Sequence, residues 1–548
     1  MTGAPALPGL RHHETALPPT HLETRSDVLV YGATSGGVVA AVRAARDGHR
    51  VTLLAFDDHV GGMTAGGLGE TDVGNARAIG GLARDFYADV AAEYAAPDPH
   101  WTVESHVAER IYRRRLVEAG VRVLHRQHLS GVTLHDGRIT ELRTDDGARH
   151  YARVYVDAAY EGDLMAAAGV PYTTGREASD VYDEPQAGVQ PSENHQFVLP
   201  VDPYIVPGRP DSGLLPGVSG DPYGPVGAGD RRIQAYNFRL HVTNSADRIP
   251  YPEPDGYDPG RYELLRRYVD AGGYELYGRT TPIHRDVYDM NNHGAFSSDH
   301  IGANYGWPEA VRIDAAASEA QQSAAAAAGY AERERIFTDH VRYHAGLLHF
   351  LANDRRLPES IRARTRQFGL APAEFTHTAH WPHQLYIREA RRMVGAYVIT
   401  QHDASGLLHP EDPVALASYV MDSHNAKRVV VDGRPCNEGN VQHPLAMPFG
   451  VPYRALVPPP GVCANLLVAS AISASHVAFS SVRMEPVFMM LGEAAGAAAG
   501  LAAEQGASVR DVEYETLREA LSATGAILSW PPDTTGAYES DVRRAGVA

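Results

Sequence analysis

An apolar run, a glycine-rich turn, an amphipathic run and a second apolar run follow one another between residues 27 and 55, and this order restricts the possible folds more than any other feature of the chain. Asp27-Val28-Leu29-Val30-Tyr31 reads as a short buried strand, and Gly32-Ala33-Thr34-Ser35-Gly36-Gly37 as the turn after it. From Gly37 to Asp47, Val38, Ala41, Val42 and Ala45 recur at helical spacing, with Arg43, Arg46 and Asp47 on the other side. Gly48 ends the helix, and Arg50 to Ala55 forms the next strand. The short connections make this a β-α-β unit with parallel strands and a right-handed crossover. Gly32 permits the tight turn, Gly37 lets the helix pack closely on the sheet, and the free N–H groups at the helix start point at a pyrophosphate. Thr34 stands where the GxGxxG pattern has its middle glycine, so a glycine-rich turn of another α/β protein is the alternative. The flanking strand and helix favour the dinucleotide reading.

The end of the second strand should offer an acidic residue to a ribose, but Ala55 stands there. Asp57 and Asp58 lie just beyond and either substitute for it or are solvated turn residues. A second glycine-rich stretch, Gly61-Gly62-Met63-Thr64-Ala65-Gly66-Gly67-Leu68-Gly69, follows directly. Close backbone approach at several places suits a long, extended cofactor, FAD rather than NAD. A surface loop is the other reading of those glycines.

Net charge is −18, which disfavours a phosphate backbone as partner, so nucleic-acid binding is not expected. Cys436 and Cys463 are the only cysteines, too few for a disulfide framework or a four-thiolate metal site, and no metal is predicted. The first 25 residues lack an apolar core of signal-peptide type, and no uninterrupted apolar stretch is long enough to cross a bilayer. A cytoplasmic enzyme with a loose N-terminal leader is expected.

Residues 1–25 are that leader, 26–177 the first part of a cofactor-binding domain, 178–383 a substrate domain, 384–506 the C-terminal part of the cofactor domain, and 507–548 a helix and tail. Helices are predicted at 82–94, 107–119, 318–334, 339–353, 384–398 and 486–504. Strands are predicted at 121–124, 152–157 and 465–469, with a hairpin turning at Asp136-Gly137. Residues 180–300, rich in Pro, Tyr, Asn, Asp and His, read as long ordered loops with few periodic elements.

Six stretches carry a resemblance: GATSGGVVAA (32–41), DHVGGMTAGGLGETD (58–72), VDAAYEGDLMAAAGV (156–170), QAYNFRL (234–240), QLYIREARRMVGAYVITQHD (384–403) and ASHVAFSSVRMEPVFMMLGEAAG (474–496). In them the chain resembles the FAD-dependent oxidoreductase family, some of whose members carry the name xanthan lyase. The resemblance implies an α/β fold: a Rossmann-like FAD-binding domain of the glutathione-reductase type, with two dinucleotide folds and a large inserted α+β substrate domain. It implies that Gly32, Thr34, Ser35, Gly36 and Gly37 hold the pyrophosphate, and that Gly61, Gly62 and Met63 run beside the ribityl chain and flavin. Ala158, Ala159, Gly162 and Asp163 would lie near the adenosine half. Ser473, Ser475, His476, Ser481, Arg483 and Met484 would close over the isoalloxazine, with the helix beginning at Pro486 presenting its positive end to the flavin.

The substrate is expected to be a small polar molecule: hydroxylated, amine-bearing or carboxylated. The densest polar stretch, 283–304, supplies His293 and His300 as candidate bases, since histidine titrates near neutral pH. His443 is a further candidate, and Arg285 and Arg388 would orient the substrate. A single histidine in such a stretch is more often a hydrogen-bonded structural residue than a base. Hydride would pass to the flavin, which oxygen or a separate redox partner would reoxidise. A polysaccharide lyase and a non-catalytic flavin-binding protein are the competing classes.

Overall fold

The computed structural model describes residues 6–13, 20–273 and 280–530. Four parallel strands form its centre: β1 (Glu23–Tyr31), β2 (Val51–Leu54), β3 (Arg122–Leu124) and β6 (Arg149–Asp157), in the order β3-β2-β1-β6. Strand Leu466–Val468 adds in parallel to the C-terminal half of β6, while its N-terminal end pairs antiparallel with β5 (Arg138–Thr144), itself paired with β4 (Leu129–His135). All four residues of β2 and the last four of β1 are buried, as strands covered on both faces require. Tyr31 lies opposite both Leu54 and Asp157, so β1, β2 and β6 end level. A crevice at such level carboxyl ends is where α/β sheets bind ligands.

Helix α1 (Ser35–Arg46) covers one face of this sheet, and the C-terminal helix Glu485–Gln505 covers α1. That helix alone among the described residues is long and apolar enough to cross a membrane, and it is buried in the interior. Its many Gly and Ala residues explain both properties: they make it apolar and let it approach α1 closely.

Several expectations change. The N-terminal leader is not loose where it is described: Ala6, Leu7 and Leu10 are buried against the body, and β1 already begins at Glu23. The two helices predicted at 318–334 and 339–353 are one continuous helix, Glu319–Asn353, started by a Ser318–Gln321 capping box. Segment 384–398 is extended, with Arg392 and Met393 paired to Tyr172 and Thr173 and Tyr386 bridged to Asn237. Its arginines at helical spacing reach different buried acids, Arg388 to Asp299, Arg391 to Asp163 and Arg392 to Glu177 and Glu389, and those partners hold the chain open. The stretch read as loops contains a hairpin, Thr280–His284 and Val287–Met290, in a four-stranded antiparallel sheet with Leu240–Thr243 and Gly369–Leu370. Among the described residues every sheet other than the central one is antiparallel, so the second dinucleotide fold implied by the resemblance is not seen there.

Candidate functional site

The level ends of β1, β2 and β6 open onto a cleft. Gly32 forms its floor with φ +98°, and a Cβ there would sit 2.6 Å from the Ala159 nitrogen. Gly37 is equally constrained, since a Cβ would fall 1.9 Å from the Gly32 oxygen. Thr34 has an ordinary extended backbone and needs no glycine. Its hydroxyl accepts the Gly37 N–H at 3.1 Å and donates to the Ala158 oxygen at 2.8 Å, capping α1 and tying the turn to the returning strand. The Ser35 and Gly36 N–H groups head α1 beside this turn.

The second glycine stretch is stitched to the first. The Gly61 N–H donates to the Ala33 oxygen at 2.7 Å, and Gly62 lines the cleft beside Thr34. The Met63 N–H donates to the Tyr160 hydroxyl, which donates to Glu485 at 2.9 Å. The Thr64 hydroxyl also donates to Glu485, at 2.5 Å. Burial raises the pKa of Glu485, and these donors counter that rise. The first turn of the C-terminal helix thereby fixes the Gly61–Thr64 backbone.

Asp57 faces the cleft, whereas Asp58 is 54% exposed and pairs with Arg126. Ala159, Glu161 and Asp163 form the opposite wall. Arg333 grips Asp163 through two bonds of 2.6 and 2.8 Å, and Arg391 adds a third at 2.7 Å. Gly162, with φ +67°, caps the short helix that carries Asp163. Burial also raises Asp157, behind this wall, to about 7.

Three histidines line the cleft, and of these His12 and His383 escaped the sequence reading. His12 stacks on Phe56 at 4.8 Å and meets Trp307 at 4.7 Å; its Nε2 is buried with no hydrogen-bond partner among the described residues. Burial and the nearby Arg333 hold its pKa well below the usual value. His59 and His383 stack at 3.8 Å. Burial opposes a charge on His59, but Glu109 and Asp57 outweigh it and raise its pKa; His383 is lowered to about 4 by burial and by His59.

A second polar centre surrounds Tyr386. The guanidinium carbons of Arg388 and Arg239 lie 5.0 and 5.6 Å from its ring, and the charges of Arg483 and Asp72 act on its hydroxyl. Arg388 Nη2 donates to Asp299 Oδ1 at 2.9 Å, and His424 Nδ1 meets Asp299 Oδ2 at 2.8 Å. Burial works against the Asp299 charge, but Arg388 and His424 hold it well below the carboxylate range. Burial and Arg388 lower His424. Its Nε2 makes no hydrogen bond among the described residues and lies 3.7 Å from Asp422, which Arg483 also contacts through its backbone oxygen.

Of the five predicted catalytic residues only Arg388 belongs to this centre. The imidazole of His300 turns away to Asp339 (2.9 Å) and Arg261 (3.0 Å). His293 lies further out, 6.3 Å from the ring of His195. His443 sits on strand Val441–His443, opposite Met421. Arg285 is exposed at a hairpin tip, with φ +50°. Several residues expected over the isoalloxazine spend their polar atoms inside the protein. Ser473 accepts the Gly395 N–H, Ser475 caps the next helix and donates to Glu184, and Ser481 donates to the Tyr419 oxygen. His476 pairs with Glu389 at 2.8 Å, and burial with Arg392 lowers it to about 3. Met484 precedes the C-terminal helix, next to Glu485.

The sequence profile of the family described as FAD dependent oxidoreductase matches residues 27–521. The chain belongs to this family. It is therefore an FAD-dependent oxidoreductase, and the match gives the lyase name no support. No curated protein matches the sequence. Solved structures overlap it in part. THI4 of Thermovibrio ammonificans is 20% identical over 30% of this chain and 71% of its own, with a TM-score of 0.23. L-proline dehydrogenase from P. horikoshii is 16% identical over 30% of this chain, TM-score 0.23, and L-amino acid deaminase from Proteus vulgaris is 14% identical over 30%, TM-score 0.23. The chain spans 59% and 54% of the length of these last two.

FAD suits the cleft on three counts. The Gly32 turn leaves no Cβ in the way, Asp57 offers a carboxylate at the end of β2, and His12 presents a buried ring nitrogen that lacks a protein partner.

Proposed function

We propose that this oxidoreductase removes hydride from a small polar substrate, hydroxylated, amine-bearing or carboxylated, beside Tyr386, Arg388 and His424. Gly32, Thr34, Ser35, Gly36, Gly37, Gly61, Gly62, Met63, Ala158, Ala159, Gly162 and Asp163 would hold FAD, with residues 178–383 as an inserted substrate domain. Arg483, which donates to the Asp422 backbone oxygen, and Met484 lead into the helix whose Glu485 holds the Gly61–Thr64 backbone. The flavin supplies a two-electron acceptor when bound.

One observation carries this reading: His424 is oriented by Asp299 through Nδ1 while Nε2 is left without a hydrogen bond. That arrangement fixes the tautomer with the proton on Nδ1 and leaves Nε2 as a base. The lowered pKa keeps the ring neutral near pH 7, ready to accept the hydroxyl or ammonium proton. Arg388, locked by Asp299, and the Tyr386 hydroxyl orient the substrate. His424 thus replaces His293, His300 and His443 as the proposed base. Oxygen or a separate redox partner then accepts the electrons.

Anaerobic mixing with polyols, sugars, amines, hydroxy acids and amino acids tests the reading. Bleaching of the flavin by one class, slowed in His424→Ala and unchanged in His443→Ala, supports it. Equal bleaching in wild type and His424→Ala refutes the assignment of the base.

A further inference from the structure

A second cluster of metal-ligating side chains lies outside the cleft. His13 comes from the N-terminal segment, His128 precedes β4, and Asp145 follows β5. His13 Nε2 lies 3.3 Å from Asp145 Oδ2, and His128 Nδ1 lies 3.0 Å from the same oxygen. Asp145 Oδ1 is buried with no hydrogen-bond partner among the described residues. A network held only by hydrogen bonds gains by spreading two donors over two carboxylate oxygens. Here both rings converge on one oxygen, as they do when all three groups face a common ion. Ligands about 2.0 Å from a tetrahedral zinc lie about 3.3 Å apart, close to both separations.

The rings are also held in place. His13 stacks on Tyr330 at 4.9 Å and 6°, and Phe56 meets His128 edge-on at 4.4 Å. The Asp145 N–H donates to the His128 oxygen at 2.9 Å, fixing acid and imidazole to each other. Side-chain exposures of 14% for His13, 4% for His128 and 19% for Asp145 leave a narrow opening to solvent, enough for a water as fourth ligand.

We propose that His13, His128 and Asp145 bind a divalent transition-metal ion, zinc in preference, as two imidazoles and one carboxylate. The ion clips the N-terminal segment to the sheet beside its neighbour His12, which walls the cleft. This site is independent of the proposed substrate chemistry.

The flavin-loaded full chain, stripped with EDTA, is titrated with zinc by calorimetry and with cobalt by difference absorption above the flavin bands. One ion per chain and tetrahedral-intensity cobalt bands are expected in the wild type. His13→Gln and Asp145→Asn should each weaken binding at least tenfold. His106→Ala, in the separate Glu104–His106–Glu374 cluster, should leave it unchanged. His13 lies on a surface segment outside the sheet, so its variant remains informative should Asp145→Asn fold poorly. The proposal is overturned if the wild type binds neither ion, or if His13→Gln binds as the wild type does.

Discussion

A methyl group on Gly492 would lie 2.1 Å from the carbonyl oxygen of Gly36. The helix Glu485–Gln505 therefore touches α1 backbone to backbone, next to the glycine turn of the cleft. Gly492→Ala must push the two helices apart, and overpacking of this kind costs about 1–3 kcal/mol. The expected result is a lower melting temperature with flavin fluorescence rising before the main transition. A variant that melts and retains flavin as the wild type does would show that the helices move apart freely.

His12→Ala should weaken FAD binding while leaving the fold intact. Its buried Nε2 in the cleft wall lacks a protein partner, and a hydrogen bond from it to the cofactor would contribute about 0.5–1.5 kcal/mol, or roughly a 2- to 12-fold change in dissociation constant. Flavin release followed by fluorescence on dilution measures it. Unchanged affinity would mean that the cofactor does not lean on this wall.

His424→Ala should slow flavin reduction by about 10²–10⁴-fold, the usual contribution of a positioned base, with flavin still bound. Asp299→Asn is the sharper probe. Asp299 raises the His424 pKa against Arg388, which lowers it. Removing that carboxylate charge should move the acid limb of the reduction profile to lower pH while the rate falls. Stopped-flow reduction across pH distinguishes this from a structural defect, which lowers the rate without moving the limb.

The pair His106–Glu374, joined at 2.6 Å, gives stability a pH window. Burial alone would raise Glu374, but His106 and His241 pull it down to about 2, so its contribution is complete above the ordinary value of 4.5 and is lost as pH falls through about 2. The hydrogen bond to Glu374 raises His106, so its share is complete below the ordinary value of 6.5 and is lost as pH rises through the raised value. The pair stabilises most between those two ordinary values. Glu374→Gln should lower the melting temperature there and flatten its pH dependence on both sides. A profile parallel to the wild type would remove the pair from the account.

What was legible in the sequence was local. The first β-α-β unit was readable because its strands, turn and helix lie within about thirty consecutive residues. Thr34 looked like a defect in the glycine pattern until its extended backbone and its two hydrogen bonds were visible. Arg388, Arg391 and Arg392 imitated a helix face because their spacing is helical, while their separate buried acids dictate an extended chain. His424 carried no signal: Asp299, the partner that makes it interesting, is 125 residues away. His12 sat in a stretch whose composition suggested a leader, and only tertiary packing reveals its neighbours.

The cleft draws on His12, Gly32, Asp57, Ala159, Arg333 and His383, and the helix that backs its first turn ends at Gln505. A nascent chain exposes the glycine turn long before the C-terminal helix exists to cover α1. At about 5–20 residues per second, the ribosome leaves roughly 20–90 s between the two. Completion of the cleft is thus a late event in synthesis, and until the helix Glu485–Gln505 docks, the face of α1 that it covers stays open to water.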